Sequence, residues 1–480
     1  MRKFLRIFFC VGIYLSCSTQ IIFAESLKLN LNDAINYALK NNRSIEQSAE
    51  DREAARWNLS AIRRSFGPNL SWNSSSNKIG GRYYQTYRER RSEYESMSPY
   101  LRERYGYTRA QFPLYESENT NSLSLSVPIY SGGRLESQKK SAKYDLNSAD
   151  LILENTRREI KFQTAQAFYQ ILQYNDLMEV RQEEMKNLSE HLETVKIQYE
   201  VGTVAMSDVL ATNVQLANSR QNYNSSQINY ENAVANLNNL IGLPVDTNLI
   251  IEDELKYSSF DEDENFCIEY ALAHRSDGIA ADFAVKSSEA TVNQAKAGSR
   301  PNLSAIVSGS IIGEGAFKAD HEPERWAAGL QMSWNIFDNN VTSANVNRAK
   351  SLQRKAESQA KQQAEKIRLE VHNAYTGLKI SEKNVKLSEE AIQQAQEQYL
   401  IAKVRYEEGV DTNLSVMDAQ EKLTQARTNY FSALYSYNVS KAQLENAMGI
   451  PVGIDAEIYK KAVDEGKVSK KALEISKVDY

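Results

Sequence analysis

The chain has 480 residues, 41% hydrophobic and 25% charged, with a formal net charge of −5 and only three cysteines. Beyond the first two dozen residues there is no run of about 18 apolar residues, which excludes a helical membrane span. The acidic balance argues against nucleic-acid binding.

The N-terminus carries Arg2, Lys3 and Arg6 before an apolar stretch around Ile7 to Leu15, then small residues at Ala24. This pattern predicts a secretory signal peptide over 1–24 with cleavage after Ala24. Cys17, preceded by Ser16, is the alternative processing point as a lipidated cysteine, but Tyr14 stands where such signals favour Leu. Removing the three cations takes the net charge from −5 to −8 and leaves Cys267 as the lone cysteine, so no intramolecular disulfide can form.

The rest of the chain is written twice. Tyr199-Glu-Val-Gly recurs as Tyr406-Glu-Glu-Gly, Ile241-Gly-Leu-Pro as Met448-Gly-Ile-Pro, and Ile129-Tyr as Ile336-Phe, all at one offset. Upstream, Tyr37-Ala-Leu recurs at Tyr270 and Pro68-Asn-Leu at Pro301, at a larger offset, so the first copy holds an insertion between Pro68 and Ile129. The repeats are expected over 25–253 and 254–453, followed by a charged tail over 454–480.

Each copy reads as helix, strand, loop, strand, long helix, turn and helix. The first copy opens with a helix and a strand starting at Leu70 and Trp72. A connection crowded with Tyr and Arg (Tyr83, Tyr84, Arg90, Arg91, Tyr94, Arg102, Tyr105) follows, and is expected as a solvated loop. The next strand alternates Leu123, Leu125, Val127 and Ile129 against Ser122, Ser124 and Ser126. The second copy alternates Leu303, Ala305, Val307 and Ile311, then Trp326, Ala328, Leu330, Met332, Trp334 and Ile336. Its own connection, residues 314–324, is short and charged.

No proline falls between Pro128 and Pro244 or between Pro323 and Pro451, as long helices require. Met185, Leu188, Leu192, Val195 and Tyr199 recur with 3,4 spacing, and Ile392, Ala395, Tyr399, Ala402 and Tyr406 repeat the stripe. These are antiparallel coiled-coil seams. A helix over 134–201 would run roughly 100 Å at about 1.5 Å per residue. The return helix over 207–241 covers half of it, and the opening helix of the second copy, 266–298, is a similar half. Two half helices stacked end to end would match one long helix, so an elongated cylinder is expected. The return helix is crowded with Asn (Asn213, Asn218, Asn222, Asn224, Asn229, Asn232, Asn236, Asn238, Asn239), which predicts a wet surface.

Apolar-out, polar-in strands of about ten residues suit a transmembrane barrel wall, whereas the smallest such barrels need about eight strands. An open edge in lipid would leave backbone groups unpaired. The barrel must therefore be shared between chains, and two, three or four copies would all close one. The expected fold class is mixed α/β, mainly long α-helices, with four strands per chain of a shared transmembrane β-barrel.

These features together make the chain resemble the TolC family of outer-membrane efflux and secretion channels. The resemblance rests on Asp33-Ala-Ile-x-Tyr-Ala-Leu, the Pro-Asn-Leu strand starts, Val127-Pro-Ile-Tyr-Ser-Gly-Gly and Tyr199-Glu-Val-Gly-Thr-Val-Ala-Met-Ser-Asp-Val-Leu. It implies a homotrimer in the outer membrane whose β-barrel continues into a periplasmic α-helical coiled-coil barrel, a periplasmic adaptor protein, an inner-membrane transporter of RND, ABC or MFS type that selects the cargo, and no cofactor. It also implies that Gly202, Thr203, Gly409 and Val410 form the periplasmic tips that meet the adaptor. Asp208 and Tyr406 fall at a latch pair, and Asp418 at an acidic ring. Asp411 stands where an Arg is expected and Ser415 where an Asp is expected, so Asp411 would repel Asp208. Beside Ser207, Asp208 also reads as the N-cap of the return helix.

An enzyme is not expected: the four His (191, 274, 321, 372) are scattered, and no HExxH, GxSxG or CxxC occurs. A trimeric adhesin also shares four strands per chain, but places them consecutively at its C-terminus. A soluble coiled-coil scaffold would stay out of the membrane fraction.

Overall fold

The structure is a computed structural model that describes residues 27–78, 82–107, 117–313 and 325–450. The predicted leader with Cys17, the connection 314–324 and the tail 454–480 lie outside the described residues.

The first copy begins with β1 (Leu27–Leu29), α1 (Leu31–Asn41) and α2 (Arg43–Arg64). Then come β2 (Asn69–Lys78), α3 (Arg82–Ser96), α4 (Pro99–Arg104) and β3 (Ser117–Tyr130). The hairpin α5 (Arg134–Glu200) and α6 (Met206–Ile241) and the short strand β4 (Leu249–Ile251) complete it. The second copy runs α7 (Glu264–His274), α8 (Ser276–Lys296), β5 (Asn302–Gly313), β6 (Arg325–Ser333), α9 (Val341–Glu407) and α10 (Asn413–Met448). The long helices α5 and α9 have 67 residues each, and α6 and α10 have 36 each.

Contacts divide the chain into two compact units that each draw on both repeats. The hairpin unit comprises residues up to 42, 163–258 and 380–439; the sheet unit comprises 43–162, 259–379 and 440 onward.

In the sheet unit the four long strands form one antiparallel sheet in the order β2-β3-β5-β6. Register aligns Trp72 with Leu123, Leu70 with Leu125, Leu125 with Val307, Val127 with Ala305, Ala305 with Leu330 and Leu303 with Met332. One face is therefore a continuous apolar surface, on which Leu70, Trp72, Leu123, Val307, Trp326, Leu330 and Met332 are all exposed. The other face carries Ser71, Ser124, Ser308 and Ser310, and the Ser71 and Ser124 hydroxyls meet at 3.2 Å. Side-chain alternation delivers this division without further instruction.

Two details of the strands differ from expectation. A bulge between Pro128 and Tyr130 takes Ile129 out of the ladder, because Pro128 has no N–H to donate. Strand β6 stops at Ser333, so Trp334 and Ile336 lie beyond it, and the Trp334 indole donates to the Ser299 carbonyl at 3.1 Å. The turn into each long helix uses left-handed backbone at equivalent positions: Gly132 and Gly133 in copy one (φ 67° and 89°), Asn339 and Asn340 in copy two (φ 52° and 66°). Gly and Asn are the residues that tolerate this region.

The opening helices are each broken, where one continuous helix was expected. Asn42 and Arg275, at equivalent positions, are extended (ψ 128° and 122°). Neither break carries Gly or Pro, and the cause is tertiary. The Asn42 amide donates to the Leu240 carbonyl at 2.9 Å, satisfying the end of α6. Arg275 does the same for α10 through the Ala447 carbonyl at 3.2 Å. Free C-terminal carbonyls need such donors. The short strands β1 and β4 pair in parallel, Leu27 with Leu249, in segments too short to be legible as strands.

The Tyr/Arg insertion is helical rather than a loop over α3 and α4. Arg91 pairs with Glu95 at 2.9 Å, Arg102 donates to the Glu95 carbonyl at 2.6 Å, and its guanidinium lies 4.6 Å from the centre of the Tyr94 ring. Pairs at i,i+4 and Pro99 at a helix start favour that outcome. Among the Asn of α6, Asn238 is buried and donates to the Val245 and Thr247 carbonyls at 3.4 and 2.8 Å; the other eight are exposed.

Candidate gate at the hairpin turns

Both helical hairpins turn on a left-handed glycine, Gly202 (φ 81°) and Gly409 (φ 74°). The Thr203 N–H and hydroxyl both donate to the Gln198 carbonyl at 2.9 Å, and the Val410 N–H donates to the Arg405 carbonyl at 2.8 Å. These are helix-closing motifs that favour glycine. Val201, Val410 and Leu414 are exposed around the turns.

Behind the turns lies an apolar junction of all four hairpin helices: Leu188, Leu192 and Val195 from α5, Val209 and Leu216 from α6, Tyr406 from α9 and Val416 from α10. The seam stripes of both repeats enter such clusters, with Ala395, Ile392 and Tyr399 packing near Leu423 and Ala426. Tyr199, at the end of its stripe, is exposed instead. The α5–α10 interface also carries polar links. Gln173 donates to Ser432 at 3.3 Å, Asn187 to Gln420 at 3.1 Å, and Arg427 pairs with Glu183.

Tyr406 is buried, and its hydroxyl has no hydrogen-bond partner among the described residues. Burial raises its pKa, and the nearby negative charge of Asp208 raises it further. The pair singled out by resemblance is thus close in electrostatic terms but makes no hydrogen bond within one chain. Asp208 lies in the first turn of α6, three residues after the cap at Ala205, because the helix starts earlier than Ser207 suggests. Its charge there still complements the helix N-terminus.

Asp411 does not act as a free repelling charge. It accepts from the Thr412 N–H at 2.8 Å and lies 3.6 Å from Arg405. The hydrogen bond from Ser415, the Thr412 N–H and the Arg405 charge hold its pKa below the usual carboxylate range. Ser415 shares a 3.0 Å contact with the Thr412 hydroxyl. Asp418 is paired with Lys422 at 2.7 Å, both exposed.

One constellation escaped the sequence reading. His191 Nε2 lies 2.7 Å from Asn413 Oδ1. The Asn413 amide donates to the Thr212 hydroxyl at 3.0 Å and to the Asp208 carbonyl at 3.3 Å, and the Thr212 hydroxyl donates to that carbonyl at 2.8 Å. The imidazole also stands edge-on to Tyr406, ring centres 5.0 Å apart. Asn413 at the start of α10 thereby ties the second hairpin to both helices of the first. Nothing local in the sequence marks His191 and Asn413 as partners. No group of His, Cys, Asp and Glu able to hold a metal ion occurs among the described residues.

Residues 34–243 and 267–450 match the family model of the outer membrane efflux protein. The chain is 32% identical to the outer membrane protein TolC of Escherichia coli K12 over 146 residues, a region spanning 27% of this chain and 30% of that protein. It is 23% identical over 332 residues to the probable efflux pump outer membrane protein TtgC of Pseudomonas putida, covering 68% and 69% of the two chains. The crystal structure of the Campylobacter jejuni CmeC outer membrane channel superposes with a TM-score of 0.74 at 18% identity, over 92% of this chain and 90% of that one. With both repeats covered by the family model, the chain belongs to the outer membrane efflux protein family.

Proposed function

We propose that this chain is the outer-membrane channel of an export system and that three copies assemble into one duct. The observation that carries the reading is the four-stranded sheet, with an exposed apolar face and edge strands β2 and β6 that have no further partner strand among the described residues. Unpaired strand edges in hydrocarbon cost several kcal/mol per group, roughly, so the sheet must close against other copies. Three copies give a twelve-stranded barrel with serines facing the lumen. No helix among the described residues is long and apolar enough to cross a membrane.

The helical hairpins then extend the passage into the periplasm. Their turns at Gly202, Thr203, Gly409 and Val410 present exposed apolar residues to a periplasmic adaptor, which connects to an inner-membrane transporter of RND, ABC or MFS type. The serving system is a tripartite efflux pump or a type I secretion machine. The chain conducts cargo and performs no chemistry of its own. In this reading Asp208, Tyr406, Asp411 and Asp418 belong to the gate at that end of the duct.

Sucrose-gradient fractionation with cross-linking tests the reading. The mature protein is expected in the outer-membrane fraction as a trimer; recovery as a soluble periplasmic monomer overturns it.

A further inference from the structure

The buried imidazole of His191 occupies a position that the duct reading leaves unused. It is 7% exposed, Thr212 is fully buried and Asn413 is 5% exposed. The surrounding hydrogen bonds favour one protonation pattern, and the Thr212 hydroxyl also lies 3.3 Å from the Asn413 oxygen. Both Asn413 amide protons are used on Thr212 and the Asp208 carbonyl, so the amide oxygen faces the ring and accepts from a protonated Nε2. A neutral imidazole then carries its lone pair on Nδ1.

The surroundings of the ring come from four helices. From α9, Tyr406 stands against it, and Lys403 and Glu407 act on it with opposite sign. From α6 come Thr212 and the carbonyl of Asp208, the acid of that helix's first turn. Asn413 from α10 is uncharged, and Leu188, Leu192 and Val195 of α5 line the same junction. Among the described residues no carboxylate is hydrogen-bonded to the imidazole, so a proton added at Nδ1 puts a charge into a site with no paired acid there. Burial, and secondarily Lys403, hold the His191 pKa below its ordinary value, while Asn413 and Glu407 oppose the shift.

We propose that His191 makes the junction between the two hairpins acid-labile, so that the closed end of the duct loosens as its surroundings acidify. The inference rests on the duct reading for its consequence and on the four-helix junction for its mechanism. Hydrating the new Nδ1–H requires water to enter the junction where α5, α6, α9 and α10 pack, and opening that junction separates the helices that Asn413 joins. The sign follows from linkage. A histidine whose pKa is depressed in the closed state stabilises that state above about 6.5, and the stabilisation is lost as pH falls through the depressed value. Each pH unit in that window shifts the closed-to-open balance by up to about tenfold per chain.

The test uses the purified full-length protein in planar bilayers at pH 7.5 and 5.5, with His191→Gln and Asn413→Asp. Wild-type conductance is expected to rise severalfold in acid. His191→Gln, neutral at both values, is expected to respond little. Asn413→Asp gives the imidazolium a carboxylate partner but loses the amide bonds to Thr212 and the Asp208 carbonyl, and is expected to conduct alike at the two pH values. The same acid response in wild type and His191→Gln overturns the proposal. Hydrogen exchange of residues 187–195 and 410–420, corrected for intrinsic rate, reads the junction without conduction. Faster opening in acid in wild type alone supports the proposal, and no difference between the two proteins overturns it. Absence of channels from every protein at both pH values counts against the duct reading, and the exchange result still decides the proposal.

Discussion

Gly449 and Arg275 approach so closely that a Cβ on the glycine would stand 2.6 Å from Arg275 Cγ and 3.1 Å from its Cα. Gly242 meets Asn41 in the same way in the first repeat, at 2.9 Å from its Cβ. Both glycines close a return helix in the left-handed region, at φ 77°. The duplicated Gly-x-Pro sequence therefore marks a junction where the end of one helix meets the break between two others.

Two kinds of glycine are distinguished by this geometry. Gly449→Ala combines unfavourable φ with a collision and is expected to cost about 2–4 kcal/mol. A Cβ on Gly409 would meet nothing within 4 Å among the described residues, so Gly409→Ala should cost only about 1–2 kcal/mol, the conformational part alone. Denaturant unfolding in detergent compares the two, and equal losses would contradict the packing argument.

Arg275 is buried between Asp277 at 2.6 Å and Glu370 at 2.6 Å. Arg275→Met removes the nearest cation from both carboxylates, leaving Lys366 at 3.6 Å from Glu370, and is expected to destabilise by roughly 3–5 kcal/mol. Burial alone would raise the Asp277 pKa, but its bonds to Arg275 and the Arg275 charge bring it below the ordinary value. That contribution is present above about pH 4 and is lost as pH falls through the depressed value. Acid unfolding of wild type should therefore be steeper below pH 4 than that of Arg275→Met.

Tyr406 contributes its ring more than its hydroxyl to the folded chain. Tyr406→Phe removes an unbonded buried hydroxyl and should change stability by less than about 1 kcal/mol. Tyr406→Ala opens a cavity among Leu188, Leu192 and Val416 and should cost about 3–5 kcal/mol. If Asp208 reaches the phenol in the assembled trimer, Asp208→Ala combined with Tyr406→Phe raises single-channel conductance. Unchanged conductance would remove the pair from the gate.

Asp418 and Lys422 largely offset each other's charge on one exposed face of α10. Lys422→Ala frees the carboxylate, and in the duct it should increase cation selectivity and strengthen block by multivalent cations. Reversal potentials across a salt gradient measure this. A shift toward anions would place the pair away from the bore.

The membrane face offers a separate check. Leu330 sits mid-strand in β6, exposed on the apolar side of the sheet opposite Ala305. Leu330→Arg should cost about 2–4 kcal/mol of membrane stability if that position lies near the bilayer midplane. Substituting Ser308 of the neighbouring β5, on the other face, with Arg should cost much less. Urea titration of the folded protein in lipid vesicles compares them.

Much of the architecture was legible without coordinates. Proline spacing fixed where the long helices could run, two-residue alternation identified both faces of the strands, and the repeat at Tyr199 and Tyr406 located the two hairpin turns. Counting strands was enough to require other copies. All these are local or periodic properties, written into a few consecutive residues by the geometry of helix and strand. The tertiary structure alone decided the partners: Arg275 with Gly449, Arg405 with Asp411 across the turn, and His191 with Asn413. It also decided where helices break, since Asn42 and Arg275 are ordinary helix residues until the ends of α6 and α10 demand their side chains. Most of these contacts join residues far apart in the chain, and no periodicity records them. They depend on which unsatisfied carbonyl or buried amide another helix brings within hydrogen-bond reach.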